Sequence, residues 1–309
     1  MKKFATLFVV LALLGTAAYG KGSSQGSSGK PVFMLCISHM TNAFTTTVAN
    51  SMSDAAKAAG AELIINEGGN DISRQISQIE SGVNQKVNAI IIEPVSVNGV
   101  IPAVEAAMRA NIPVIIFNQR ISDSSKATTF VGVSNDTLGA LEMRRAVADL
   151  GSRGNVALLL GPMGSDGQLG RSKGYADVLA QNSNVKVVFE ETANWTTEEA
   201  LRLVENWLQT GTTINAIVCQ NDGMALGAVK AVEDKGLSGQ IKVYGLDAVP
   251  DALKAVQEGR LEVSVSQATE RQSQMAIDIA MKLYRGENVP VENLVEGEVI
   301  DKTNVDRHL

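Results

Sequence analysis

Residues 214–228 of the 309-residue chain read INAIVCQNDGMALGA. The first six form a largely apolar run rich in β-branched residues, which is typical of a strand buried in a parallel sheet. From Met224 onward the apolar residues recur at the spacing of one helix face. The polar residues Gln220, Asn221 and Asp222 stand between them, at the carboxyl end of the strand, where open α/β sheets bind ligands. The segment therefore predicts a strand–helix unit with a candidate binding edge, although Asp222 is equally explained as a helix cap.

The same alternation runs through the chain from residue 32 onward. The strand-like runs are Val32–Ile37, Ala61–Ile65, Ala89–Ile92, Val114–Phe117, Thr129–Val133, Asn155–Leu160, Val185–Phe189, Ala216–Cys219, Lys242–Leu246 and Leu261–Val265. Amphipathic, helix-like segments between them include Val48–Ala59, Ile72–Val83, Val100–Ala110, Leu138–Leu150, Thr197–Leu208, Met224–Lys235 and Met275–Tyr284. This alternation predicts an α/β fold with parallel sheets and right-handed crossovers.

A weak internal repeat divides the chain into two halves. Residues 87–92 (VNAIII) match residues 214–219 (INAIVC), an offset of 214 − 87 = 127. Residues 112–118 (IPVIIFN) match residues 241–247 (IKVYGLD), an offset of 241 − 112 = 129. Two matches at nearly one offset predict two similar doubly wound lobes. If the lobes face each other, the carboxyl ends of both sheets border one cleft, and ligand pockets favour such interfaces.

The N-terminus reads as a targeting segment. Lys2 and Lys3 precede an apolar run that is too short to span a bilayer, followed by small residues up to Gly20. We therefore predict a secretory signal peptide over residues 1–20 and a flexible Gly/Ser-rich tether over residues 21–30. No Cys stands at the cleavage boundary, so a lipid-anchored N-terminus is not expected.

Charge and composition exclude several function classes. Removing Lys2 and Lys3 from the 27 basic residues leaves 25 against 33 acidic residues, a net charge of −8, which disfavours nucleic acid and anionic lipid. Cys36 and Cys219 both fall in predicted core strands and are expected to be free thiols. With only two histidines in the chain, a His-based metal site or catalytic triad is not expected, and we predict neither metal nor cofactor.

Polar and aromatic side chains at the predicted strand ends form the candidate site. They are Ser38, Asn42, Phe44, Asn118, Gln119, Arg120, Arg171, Trp195, Asn221, Asp247 and Gln267. Amides, a few charges and two aromatic rings suit a neutral ligand with many hydroxyl groups and apolar ring faces. Phe44 and Trp195 are placed to sandwich such a ring.

Individual members of this set have simpler explanations that the sequence leaves open. Phe44 is equally a core residue, Asp247 equally bonds its own turn, and Arg171 equally is a surface cation. The loop 164–170 (GSDGQLG) resembles a phosphate cradle only weakly, because it lacks a Walker lysine pattern. His39 is best explained as an ordinary loop residue.

Three segments carry a family likeness: residues 220–228 (QNDGMALGA), 244–251 (YGLDAVPD) and 110–115 (ANIPVI). Together and in order they resemble the ribose-type periplasmic sugar-binding proteins, the substrate-binding subunits of bacterial ABC importers. The likeness covers essentially the whole chain from about Val32 onward. It implies a monomer of two lobes that close over a monosaccharide. The ligand contacts that it implies are Ser38, Asn42, Phe44, Arg171, Trp195, Asn221, Asp247 and Gln267.

The resemblance also implies a three-strand hinge, with crossings near Ser134, Gln267 and Glu292. The lobes would then comprise residues 31–134 plus 268–292 and residues 135–267 plus 293–309. A membrane ABC permease, and in some cases a chemoreceptor, would bind the closed form in the periplasm. No enzymatic activity is expected.

One departure concerns the fourth strand. Ribose binders resemble one another in an Asp-Arg pair there, whereas this chain has Asn118-Gln119 with Arg120 one position later. An amide pair binds hydroxyl groups more weakly and with different reach. Similarity to inositol-type and other pyranose-size binders therefore favours a hexose or cyclic polyol over ribose.

Three competing readings remain. A LacI-type regulator core shares the two lobes, but a signal peptide stands where its helix-turn-helix would be. A glycosidase needs two carboxylates, for which Asp222 and Asp247 are candidates. A receptor for a quorum-sensing furanone signal shares the fold, and only the pocket would distinguish it.

Overall fold

The structure, a computed structural model, describes residues 29–309. The predicted signal peptide and residues 21–28 of the predicted tether lie outside the described residues. Numbering the elements along the chain gives twelve strands, β1 to β12, and nine α-helices, α1 to α9, within the described part.

The first sheet has six parallel strands in the order β2-β1-β3-β4-β5-β11. They are β1 Val32–Ile37, β2 Glu62–Glu67, β3 Ala89–Ile92, β4 Val114–Phe117, β5 Thr129–Gly132 and β11 Glu292–Leu294. The inner strands β3 and β4 are buried along their whole length, whereas the edge strand β2 is half exposed. This difference explains why the inner strands read as unbroken apolar runs.

The second sheet repeats this arrangement in the order β7-β6-β8-β9-β10-β12. Its strands are β6 Gly154–Leu160, β7 Val185–Thr192, β8 Ala216–Cys219, β9 Lys242–Asp247, β10 Val263–Ser266 and β12 Glu298–Asp301. Only β12 runs antiparallel to its neighbour. The internal repeat matched β3 with β8 and β4 with β9, and these pairs occupy equivalent places in the two sheets. The predicted fold class, two similar doubly wound lobes, is confirmed.

Helices connect the strands. They are α1 Ala43–Ala58, α2 Ile72–Gln85, α3 Ile101–Arg109, α4 Asn135–Asp149, α5 Asp166–Leu179, α6 Thr197–Gln209, α7 Asp222–Asp234, α8 Pro250–Glu258 and α9 Thr269–Tyr284. Short 3-10 turns span Ser124–Lys126 and Val305–Arg307. No helix-like segment was predicted for α5 or α8. Helices α1 and α9 begin earlier than predicted, because their first turns lack the apolar spacing that marks the later ones.

The chain passes between the two sheets three times. The crossings lie between β5 and α4, between β10 and α9, and between β11 and β12. Helix α4 packs against the second sheet, and α9 packs against the first. We keep the division into residues 31–134 plus 268–292 and 135–267 plus 293–309 as a proposal, and call the parts that carry the first and second sheet the first and second lobe.

In the second lobe, α4 and α5 approach until backbone touches backbone. A Cβ added at Gly174 would lie 2.2 Å from the Asp136 carbonyl oxygen and 2.5 Å from the Ala140 nitrogen. A Cβ at Gly139 would lie 2.4 Å from the Arg171 carbonyl oxygen. Contacts this short leave no room for a side chain, so glycine fixes how closely α5 approaches α4. Because Arg171 is on α5, this contact also sets the depth of its side chain.

Between residues 29 and 309, none of the helices combines the length and apolar character that a membrane crossing needs. The two cysteines, Cys36 in β1 and Cys219 in β8, are buried and unpaired with each other.

Replacing Gly174 by Ala tests the α4–α5 contact. The added methyl group meets backbone atoms, which cannot rotate away, so we expect the free energy of unfolding to fall by about 1–3 kcal/mol or more. Urea unfolding of Gly174→Ala against the parent measures it. Lys173→Ala, a change at the exposed neighbouring position, should shift the midpoint little; equal midpoints for the two variants would contradict the contact.

Candidate functional site

A cleft of about 740 Å³ opens at the carboxyl ends of both sheets. This volume lies within the range of about 300–1,000 Å³ that is usual for small-molecule sites. The residues lining it follow β1, β2, β3 and β4 of the first lobe and β6, β7, β8 and β9 of the second. Of the predicted site residues, the structure brings seven to its surface: Ser38, Asn42, Phe44, Gln119, Trp195, Asn221 and Asp247.

Two asparagines on opposite walls are helix caps. Asn42 Oδ1 accepts the backbone N–H of Thr45 at 2.9 Å and begins α1, while Asn221 Oδ1 accepts that of Met224 at 2.9 Å and begins α7. Capping satisfies a helix N–H and fixes which end of each amide is the oxygen. The amide nitrogens are therefore left as donors toward the cleft, apart from a 3.4 Å contact of Asn221 Nδ2 with the Trp195 carbonyl.

The two aromatic side chains stand on opposite lobes. Phe44 is on the first turn of α1 and is buried apart from the edge that lines the cleft. Trp195 lies in the loop between β7 and α6, with a left-handed φ of 64°. Its indole lies against Gly161, where a Cβ would come within 2.1 Å of ring atoms. Gly161 therefore provides the space that lets the indole face the cleft.

Below the cleft, side chains connect the two lobes. Asn118 Nδ2 donates to Gln267 Oε1 at 2.9 Å, and Gln267 Nε2 donates to Asp247 Oδ1 at 2.7 Å. We call this chain of Asn118, Gln267 and Asp247 the floor network. All three residues are buried. Asn118 and Gln267 thus act under the cleft surface, and Asp247 is the member that reaches it.

A second link crosses the cleft itself. Gln119 Oε1 accepts the backbone N–H of Gly167 on α5 at 3.2 Å. Gln119 can occupy this place because Asn118 adopts a left-handed conformation, φ 58°, and the Gln119 N–H bonds the Phe117 carbonyl at 2.6 Å. This tight turn points Gln119 toward the other lobe.

Arg171, a predicted ligand contact, is buried in the second lobe next to residues that line the cleft, and its contact with a ligand stays a prediction. The residue is 3% exposed, and its guanidinium donates to Asn135 Oδ1 at 3.1 Å and to the Gln220 carbonyl and lies 5.4 Å from the centre of the Trp195 ring. The surface-cation alternative is therefore wrong. Arg171 supports the Trp195 indole from behind, and its charge reaches Asp247.

Arg120 is not part of the cleft, which corrects the sequence expectation. The turn at Asn118 sends it outward, where it pairs with Glu292 and lies 4.0 Å from the centre of the Phe130 ring. Its partner is far away in sequence, on β11, so the pairing could not be read from the local pattern.

Asp222 and Asp247 are two buried carboxyl groups that lie close enough to interact electrostatically. Asp222 is fully buried and accepts bonds from the Ser264 hydroxyl at 2.8 Å and the Val249 N–H at 3.0 Å. Burial raises the pKa of both groups, and the nearby Arg171 opposes the rise at Asp247. Asp222 does not line the cleft, so the pair nominated for a glycosidase is not presented to a substrate.

Glu93 is a cleft residue that the sequence analysis missed. It follows β3 directly, so the strand-end rule applied to the other strands could have found it. Its carboxylate accepts the Ser38 N–H at 2.8 Å, and burial raises its pKa to about 7. Gln75 fixes the backbone on both sides, donating to the Glu93 carbonyl at 2.8 Å and accepting from Val95 N–H at 2.9 Å.

No group of three or more His, Cys, Asp or Glu side chains among residues 29–309 is arranged to hold a metal ion. His39 lines the cleft, and burial lowers its pKa below the ordinary value.

Two matching lobes with a polar cleft between them define a small-molecule binding protein. Residues 33–288 match the periplasmic binding protein domain, and the chain belongs to that family, whose members bind solutes and are not enzymes. This confirms the resemblance to ribose-type binding proteins.

Individual relatives agree with the assignment. The chain is 34% identical to a xylitol-binding protein of Mycolicibacterium smegmatis, over 95% of this chain and 83% of that one. It is 29% identical to the ribose import binding protein of Bacillus subtilis, over 94% of this chain and 95% of that one. Among solved structures, an ABC transporter solute binding protein from Bacillus halodurans C-125 with bound myo-inositol gives a TM-score of 0.87 at 33% identity. That match covers 92% of this chain and 98% of the other.

The pH dependence of stability tests the environment of Glu93. Its pKa is about 7 in the folded chain against an ordinary value of 4.5, so between these values the folded state binds more protons than the unfolded one. The free energy of unfolding should therefore fall as pH rises through this window, by roughly 3 kcal/mol at most. Glu93→Gln keeps an acceptor for Ser38 and should lack this loss.

Urea titrations at pH 5 and pH 8 measure the difference. Relative to the parent, Glu93→Gln should gain stability between the two pH values. Glu62→Gln, the same change on the exposed edge strand of the same lobe, is the matched control. A difference in the free energy of unfolding between Glu93→Gln and the parent that is the same at pH 5 and pH 8 would contradict the buried environment assigned to Glu93.

Proposed function

We propose that this chain binds a single polyhydroxylated ring in the cleft, a cyclic polyol or hexose in preference to ribose. The observation that carries the proposal is the cleft lining, in which amide and carboxylate groups of both lobes surround a space with an aromatic ring on either side. The names of the relatives support it, because those proteins bind xylitol, ribose and myo-inositol.

Each wall has a role in the proposal. Asn42 and Asn221 donate to ring hydroxyls through their amide nitrogens, and Asp247 accepts through a charge-assisted bond. Phe44 and Trp195 cover the apolar C–H faces of the ring. A ligand that lacks one hydroxyl leaves a buried polar group unpaired, which gives selectivity.

The preference against ribose rests on the fourth strand. Asn118 is engaged in the floor network, which leaves Gln119 as the group that reaches the ligand from this strand. An uncharged amide on a long side chain replaces the Asp-Arg pair of the ribose-type family. This replacement suits a six-membered ring with hydroxyls around its whole edge.

Closure provides the mechanism. A ligand that contacts both lobes binds the closed arrangement more tightly than an open one, and so shifts the population toward it. The Gln119–Gly167 bond and the floor network are contacts between lobes of the kind that closure makes. In the proposal the closed monomer then delivers its ligand to an ABC permease in the periplasm. A chemoreceptor is a second partner that binds the closed form.

A thermal-shift screen tests the proposal. A compound that binds only the folded chain raises its melting temperature. The panel should contain inositols, hexoses, ribose, xylitol and a furanone signal. We expect the largest shift from an inositol or hexose; ribose giving the largest shift would refute the preference, and the furanone alone giving one would favour the alternative receptor function.

Tryptophan fluorescence tests the placement of Trp195. Ligand binding should change the emission of the parent chain, and Trp195→Phe should abolish the change. The other tryptophan, Trp207, is buried, stacks on Phe189 at 5.2 Å and bonds Glu191, away from the cleft. A ligand-induced change that survives in Trp195→Phe would count against the placement.

Asp247→Asn tests the charge-assisted bond. The substitution keeps an acceptor for Gln267 but removes the charge, so affinity should fall by about tenfold to a hundredfold. Titration calorimetry measures it. Arg120→Ala, which lies outside the cleft, should stay within about twofold of the parent; the opposite ranking of the two variants would reject the site as assigned.

A further inference from the structure

The cleft carries an excess of negative charge at its surface. Its lining includes the carboxylates of Glu93, Glu198, Asp247 and Asp251, and no Lys or Arg of residues 29–309 lines it. The one other ionisable lining group is His39, whose pKa is lowered by burial, so that it is neutral at pH 7.5. A solute with a carboxylate or phosphate group is therefore disfavoured by this surface.

The two buried carboxylates of the lining differ in how they are compensated. Asp247 accepts from Gln267 and lies in the field of Arg171. Glu93, which is 4% exposed, makes no ion pair within the described chain; Ser38 donates to it through its backbone N–H at 2.8 Å and through its side chain. A buried carboxylate without a cation is costly unless something pairs with it.

Glu93 is also held rigidly. The Gln75 side chain is fully buried and bonds backbone groups at Cys36, Glu93 and Val95, which fixes the turn after β3. These bonds hold the backbone at Glu93, and the Ser38 N–H holds the carboxylate. It stays at the wall of the first lobe and faces the space where the ligand is proposed to lie.

We propose that the preferred ligand carries an amino group, and that Glu93 binds it as an ammonium ion: the solute is an aminodeoxy polyol or amino sugar. This inference rests on the proposed function, since it assumes a polyhydroxylated ring in the cleft. An ammonium donates a charge-assisted hydrogen bond and neutralises the carboxylate, whereas a hydroxyl at the same position leaves the charge uncompensated. The amides, Asp247 and the aromatic rings keep the roles assigned above.

Calorimetric titration of matched pairs at pH 7.5 tests the inference. The pairs are D-glucosamine with D-glucose, and an aminodeoxy-inositol with its parent inositol. For at least one pair we expect the amine to bind the parent chain about tenfold more tightly or better. Glu93→Gln should remove that preference while it still binds the uncharged compound. Glu62→Gln, outside the cleft, should retain the preference.

Melting temperatures of the unliganded variants check that Glu93→Gln is folded, and Glu93→Asp is a second variant that keeps the charge. Uncharged compounds that bind as tightly as their amines, or a preference that survives in Glu93→Gln, would overturn the inference and leave the proposed function standing. Absence of binding by every compound in both pairs and in the thermal-shift screen would overturn the proposed function itself.

Discussion

The floor network of Asn118, Gln267 and Asp247 is the interaction on which the rest of the site depends. It joins the end of β4 in the first lobe to the ends of β9 and β10 in the second through two hydrogen bonds of 2.9 and 2.7 Å. Because all three residues are buried, loss of any one leaves an unpaired polar group away from water. The network therefore fixes the position of Asp247, and it connects side chains of one lobe to side chains of the other by hydrogen bonds.

Around this floor, the functional side chains also have structural tasks. Asn42 and Asn221 cap helices, and capping orients their amides toward the ligand space. Asn118, Trp195 and Asp247 have positive φ values, which non-glycine residues adopt rarely. Such conformations persist only where the surrounding structure holds them, and they cluster at binding sites. The conformations of these residues are thus set by the fold around the strand ends.

The sequence was sufficient to predict the fold because the apolar runs of the strands and the helix-face spacing of the helices are regular. Apolar runs such as β8 and the repeat between the halves predicted two matching sheets. The short edge strands β11 and β12 carried no such signal. For the site, the strand-end rule predicted Trp195 and Asn221, which line the cleft. It did not predict that Arg120 pairs with Glu292 outside the cleft, or that Arg171 is buried against Asn135. Their positions depend on Glu292, Asn135 and the close approach of α4 and α5, which are contacts between residues distant in sequence.

Glu93 was not predicted as a site residue, although its position in the sequence follows the same rule as the predicted ones. Its place after β3 is as regular as that of Asn221 after β8, and the sequence alone could have nominated it. Its lack of a cation partner, however, appears only when the whole wall of the cleft is assembled. That absence gives the cleft an electrostatic preference beyond hydrogen bonding to hydroxyl groups.

Closure of the two lobes on a ligand can be measured directly with spin labels. Met40 and Met163 are 37% and 67% exposed on loops that border the cleft from the two lobes. In a Met40→Cys, Met163→Cys variant only these two positions should be labelled, because Cys36 and Cys219 are buried and burial raises the pKa of both thiols. Pulsed electron double resonance should give a broad or long distance distribution without ligand and one shorter, narrow distance with a saturating polyol. The same distribution in both samples, for a ligand that calorimetry shows to be bound, would contradict the account.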